Sequence, residues 1–176
     1  AICRKIIDCN PDFIICGNLH SAGVTGINLL KLLDEIAPVF WVTHDLWLLT
    51  GRCAYTNGCV KYLSGCDATC PSADEYPSLA KSQIYTSWKS KYAILKKLTK
   101  TRILANSDWS ASKFREAFLS QNINIPVDVF NLGAPADVFN PDNKKKARSE
   151  IGVPCDAFVI ALSSSSLSDN RKGAWY

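Results

Sequence analysis

The chain has 176 residues, 47% of them apolar and 20% charged, with a formal net charge of +4. That is apolar material for the core of one medium domain, or of one domain and part of a second, while the scattered basic residues argue against a nucleic-acid partner, which leaves a dense basic stripe. No apolar run reaches the roughly 18 residues of a membrane span and the N-terminus lacks a signal-peptide layout, so the expectation is a cytoplasmic protein.

Methionine is absent, even at position 1, and "RKGAWY" closes the chain soon after a new strand pattern begins. The expectation is an interior segment of a longer protein. Residues 1–9 read as the end of an amphipathic helix, closed by Asn10-Pro11-Asp12. "FIIC" (13–16) is a continuous apolar run, which suits a strand buried on both faces of a parallel sheet. After the loop "GNLHSAG", Val24, Ile27, Leu30, Leu33 and Ile36 recur at helical spacing, Ala37-Pro38 ends that helix, and "VFWVT" (39–43) is the next buried strand. Strand, helix, strand implies a right-handed parallel crossover.

A cysteine-rich loop follows. Residues 85–101 then form a basic amphipathic helix with Trp88, Tyr92 and Leu95 on one side, and 102–107 return to strand. Ser107 or Ser110 caps a helix over 111–121. Val127 and Val129 alternate in 126–133, 135–154 read as a linker with a short helix, and 157–166 as a strand running into serines. No internal repeats are present. Strands alternating with helices predict an α/β, doubly wound, Rossmann-like parallel sheet carrying a cysteine-rich loop.

Ligands of open parallel sheets bind beyond the carboxyl ends of the strands. The chain's two histidines both fall there: His20 a few residues past "FIIC" and His44 directly past "VFWVT". His44 and Asp45 are therefore the candidate catalytic pair, with Asp45 either holding the His44 ring or capping the next segment. Plain loop histidines are the alternative. No G-x-G-x-x-G, P-loop or G-x-S-x-G motif occurs, which leaves a dinucleotide dehydrogenase, a P-loop enzyme and a serine hydrolase without support. In "SSSSLSDNRKG", Arg171, Lys172 and Gly173 suit a diphosphate, although a solvated Arg-Lys pair explains them as well. Cys53, Cys59, Cys66 and Cys70 cluster, whereas Cys3, Cys9, Cys16 and Cys155 are scattered. The cluster fits a structural zinc held by four thiolates, two disulfides, or buried free thiols.

The string "PDFIICGNLH…LLKLL…PVFWVTHDLWLLTGRCAYTNGCVKYLSGCDATCP" resembles the N-terminal domain of family 4 retaining glycosyltransferases of the GT-B fold, most of all the bacterial exopolysaccharide and O-antigen branch. "ILANSDWSASKF", "VDVFNLGAPADVFNP" and "RKG" are similar to later motifs of that family, so the likeness covers nearly the whole chain. It implies that residues 1–140 are the latter part of an acceptor-side Rossmann-like domain, and 141–176 a linker and the start of a donor-binding domain. It implies that His44 faces the donor sugar, that Arg171 and Lys172 bind the nucleotide diphosphate, and that His20 lies on the acceptor side. Cys16 and Asn18 stand where the family has histidines, and Asn131-Leu132-Gly133-Ala134 replaces its "N-G-x-D".

The implied activity is transfer of a sugar, with retention, from a nucleotide-sugar co-substrate to a saccharide or lipid-linked acceptor. Any zinc would be structural. Lys89, Lys91, Lys96, Lys97 and Lys100 beside Trp88 and Tyr92 fit peripheral contact with anionic lipid at the inner face of the membrane. Two rival readings are a zinc-bearing, non-catalytic interaction module and a sugar-nucleotide epimerase on the same scaffold.

Overall fold

The structure, a computed structural model, describes residues 2–20, 26–164 and 173. Helix α1 (Ile2–Cys9) precedes strand β1 (Ile14–Cys16), and helix α2 (Ile27–Ile36) leads to strand β2 (Val39–Thr43). A long connection containing one 3-10 turn, Lys61–Leu63, runs to helix α3 (Lys81–Leu95). Strand β3 (Thr101–Ala105), helix α4 (Asp108–Ser120) and strand β4 (Val127–Val129) follow. The strands form one parallel sheet in the order β1-β2-β3-β4, with Ile14 opposite Val39, Val39 opposite Thr101 and Ile103 opposite Val127. The expected α/β Rossmann-like arrangement is present. Since the strands lie in sequence order, the reversal of a doubly wound sheet is not among the described strands.

Alternation within the sheet places its core. Val39, Trp41 and Thr43 of β2 are buried and Phe40 and Val42 only half-buried; Ile103 and Ala105 of β3 are buried. Strand β1 departs from the expectation of burial on both faces: among the described strands it lies at one end of the sheet order, and Ile15 is 69% exposed.

Helix α3 starts at Lys81 and ends at Leu95 rather than spanning 85–101, because Thr101 already belongs to β3. The turn between them is fixed by Asp34 of α2, a buried carboxylate that accepts hydrogen bonds from the Thr99 and Lys100 amides (both 3.0 Å) and from the Thr101 hydroxyl (2.6 Å). Ser107 caps α4: its hydroxyl accepts from the Ser110 amide, while Ser110 Oγ accepts from the Ser107 amide, each at 3.2 Å. Both candidate caps thus act in one reciprocal box.

The chain divides into two compact units, Ala1–Leu132 and Gly133–Tyr176. The second contains a 3-10 turn (Pro141–Asn143) and helix α5 (Lys144–Glu150), whose Arg148 donates to the carbonyls of Pro154 (2.6 Å) and Ala157 (2.9 Å). The strand expected from residue 157 does not form over the described residues 157–164. No other strand is described in this unit to pair with it, and Phe158 is 92% exposed.

Candidate active site

Parallel pairing of β1 with β2 brings their carboxyl ends side by side, so the chain leaving Cys16 runs next to the chain leaving Thr43. Asp45 is where the two meet. Its Oδ2 accepts from Asn18 Nδ2 at 3.0 Å and lies 2.7 Å from His20 Nε2, while Oδ1 accepts from the Trp47 amide at 2.9 Å. The last bond closes a tight Asx turn of the kind aspartate favours. The His20 side chain is 6% exposed. Its ring packs against Trp47 (5.5 Å between centroids) and Tyr76 (5.8 Å), with Tyr76 Oη 3.4 Å from Nδ1.

Asp45 therefore caps the segment that follows it and holds His20. Of its two expected roles the capping one is realised, and the histidine it pairs with is the other one. His44 is exposed directly after β2, at its carboxyl end. Arg171 and Lys172 lie outside the described residues; Gly173 sits in a turn with φ of 69°.

The connection from residue 44 to 80 is built onto α3 through its backbone. Ser87 Oγ donates to the Gly51 carbonyl (2.6 Å), Trp88 Nε1 and Tyr92 Oη to that of Tyr62 (2.9 and 3.1 Å), and Lys91 Nζ to those of Trp47 (2.7 Å) and Thr50 (2.9 Å). From α4's end, Gln121 Nε2 donates to the Leu63 carbonyl at 2.7 Å. Leu46, Leu48, Leu49 and Tyr62 enter the core. Gly51 is required by contact: a Cβ there would lie 2.6 Å from Ile84 Cγ2, 2.7 Å from the Ile84 carbonyl oxygen and 2.9 Å from Cys66 Cβ.

The connection thus places apolar side chains of its own in the core and is anchored to α3 by hydrogen bonds. Among the described residues no group of three or more His, Cys, Asp or Glu side chains is arranged to hold a metal ion, and Cys53, Cys59, Cys66 and Cys70 are all free thiols. Cys53 and Cys66 are buried, and Cys59 and Cys70 half-buried. Burial pushes the Cys66 thiol up to about 11 and raises that of Cys53.

Two buried basic side chains sit here that the sequence pattern does not single out as buried. Lys91 was expected on the basic face of α3; it is 2% exposed, with Nζ 3.6 Å from the centroid of the Trp47 ring. Burial lowers its amine to about 7. The spacing Ile84, Trp88, Lys91, Leu95 puts it on the helix's apolar stripe, a signal that could have placed it. Arg52 is also 2% exposed. Its Nη1 donates to the carbonyls of Ser72 and Glu75 (2.8 Å to the latter), its Nη2 reaches Ser72 Oγ at 3.4 Å, and its Nε is buried without a hydrogen-bond partner. Beside the His20–Asp45 pair lies a cavity of about 260 Å³, lined among others by His20, Trp47, Arg52, Ser78 and Ser87.

Over 65 residues, 34% of this chain, the sequence is 49% identical to the Escherichia coli (strain K12) protein named "Putative colanic acid biosynthesis glycosyl transferase WcaC". The likeness supports a relationship to glycosyltransferases. The match covers 16% of that relative's length. No family model matches the chain, and no solved structure matches it. Among the described residues no helix is long and apolar enough to cross a membrane.

Proposed function

We propose that the chain is part of a retaining glycosyltransferase of the GT-B fold, which moves a sugar from a nucleotide-sugar to a saccharide or lipid-linked acceptor. The observation that carries the reading is the 49% identity to WcaC over 65 residues. It is supported by a polar cluster, Asn18, His20 and Asp45, at the carboxyl ends of two adjacent parallel strands, where such sheets bind ligands.

In this reading His44, exposed on that edge, orients the donor sugar and stabilises its cation-like transition state. Asp45 sets the turn that carries His44, and through His20 ties it to the acceptor side. Arg171 and Lys172, beside Gly173, neutralise charge growing on the leaving diphosphate, an electrostatic contribution of the oxyanion-hole kind. Sugar transfer then depends on aligning donor and acceptor, where small displacements cost large factors in rate. Exposed Lys89 on α3, with exposed Lys96, Lys97 and Lys100 in the turn that follows it, serves contact with anionic lipid near a lipid-linked acceptor.

The test is a transfer assay on the full-length protein with a panel of labelled nucleotide-sugars and lipid-linked or free saccharide acceptors, the anomeric configuration of the product being read by proton NMR. Acceptor-dependent release of nucleoside diphosphate with retained configuration is expected, and lost in His44→Ala. Free sugar products without an acceptor would indicate the epimerase instead. Absence of saturable nucleotide-sugar binding would sink the transferase reading.

A further inference from the structure

The cavity beside His20 and Trp47 has an unusual charge balance. A guanidinium is a permanent cation in proteins, yet among the described residues no carboxylate lies within ion-pair distance of Arg52, and its named partners are two backbone carbonyls and one hydroxyl. The nearest acids in sequence, Asp74 and Glu75, are exposed, and only the Glu75 backbone touches the guanidinium. Lys91, over the Trp47 ring, is a second buried basic side chain, whose polar contacts are again two carbonyls. Asp45, the carboxylate of the cluster, has both oxygens occupied by Asn18, His20 and the Trp47 amide. Burying a charge without a counter-charge is costly, and Arg52 additionally leaves Nε without an acceptor. Elsewhere in the fold, buried charge is answered: Asp34 gathers two amides and a hydroxyl.

We propose that this cavity is an anion subsite, which receives a carboxylate or phosphate group of the acceptor against Arg52, beside the rings of Trp47 and His20 that line it. The inference rests on the acceptor-side reading of His20 given above. The cavity, at about 260 Å³, lies just below the range of about 300–1,000 Å³ usual for whole small-molecule ligands. It thus fits one acidic group and the ring that bears it, rather than a whole oligosaccharide. An aromatic wall with a guanidinium at its base combines a stacking surface for a sugar ring with a charge-assisted contact for its acidic substituent. Such a site discriminates by charge: a neutral acceptor entering it would leave Arg52 uncompensated, and so would be bound more weakly.

The experiment is a tryptophan-fluorescence and calorimetric titration of the full chain, without donor, at constant ionic strength. The probes are D-glucuronate, inorganic phosphate and D-glucose. Saturable binding of at least one anion, about tenfold or more tighter than glucose, is expected. A preference for glucuronate assigns the group to a sugar carboxylate, and a preference for phosphate to a phosphorylated acceptor. Arg52→Met removes binding; because Arg52 also holds the Ser72 and Glu75 carbonyls, a second pair of variants keeps the test independent of folding. Ser78 is exposed and lines the cavity, so Ser78→Glu abolishes anion binding while Ser78→Gln retains it. Equal affinity for glucose and the anions, identical behaviour of the two Ser78 variants, or no saturable anion binding below about 10 mM overturns the proposal. A protein that binds the anion but transfers no sugar refutes only the transferase reading, and one that transfers sugar while ignoring both anions refutes only the anion subsite.

Discussion

His20 Nε2 lies 2.7 Å from Asp45 Oδ2, joining two loops whose residues are separated by 25 positions in the chain. The same carboxylate closes the Trp47 turn through its other oxygen, at 2.9 Å. Asp45→Ala removes a charge-assisted bond, an Asx cap and the Asn18 contact together, and a loss of roughly 2–3 kcal/mol in urea denaturation is expected. His20→Ala and Asp45→Ala combined should fall short of additivity by about 1–3 kcal/mol, as for residues in one network. On the proposed transferase reading, Asp45→Ala is expected to lower turnover about 100-fold in the transfer assay, by misplacing the edge that carries His44.

Lys91 makes stability depend on pH with a definite sign. Burial holds its amine at about 7, below the unfolded value near 10.5. Between these values the unfolded chain binds the extra proton, so stability rises as pH climbs from 7 towards 10, by at most about 1.4 kcal/mol per pH unit. The cost is fully present below pH 7. A neutral amine still has two N–H groups for the Trp47 and Thr50 carbonyls, so the loop stays anchored. Denaturation midpoints from pH 6 to 10 are expected to rise in the native protein, with a visibly smaller slope in Lys91→Met.

Gly51→Ala tests the seat of the loop on α3. The added methyl would meet the Ile84 carbonyl at 2.7 Å, a backbone atom that no rotamer change moves away. A loss of about 3 kcal/mol is expected, together with loosening of the Ser87–Gly51 bond. Amide exchange of residues 46–53 reports it directly.

The thiols should separate by reactivity. Cys9 and Cys155 are exposed, whereas Cys16, Cys53 and Cys66 are buried, with the Cys16 and Cys66 thiols pushed up to about 11. Time-resolved alkylation read by mass spectrometry is expected to label Cys9 and Cys155 first, Cys59 and Cys70 next, and the buried three only as the protein unfolds.

What could be read from the sequence follows from how locally each feature is determined. "VFWVT" and the Ile27–Leu30–Leu33 spacing carry their own periodicity, and β2 and α2 form there. "FIIC" forms β1, yet nothing local says that Ile15 is exposed there. The segment after Ala157 has the composition of a strand but no described partner to pair with. The carboxyl-end location of His20 and Asp45 was legible from strand order, whereas their pairing depends on where two loops cross. Lys91 is the instructive miss: counted among surface lysines by type, it belongs to the buried stripe by position.

The groups that α3 extends towards the 44–80 connection end on the carbonyls of Trp47, Thr50, Gly51 and Tyr62. A carbonyl is the same acceptor whatever side chain stands on its residue. The path of the connection is therefore written in the helix, and many of the letters of the connection itself are free to change. Related chains that keep Ser87, Trp88, Lys91 and Tyr92 can exchange residues lining the cavity while its rim stays in place. One scaffold can in this way be refitted to new ligands by substitutions that never touch its sheet.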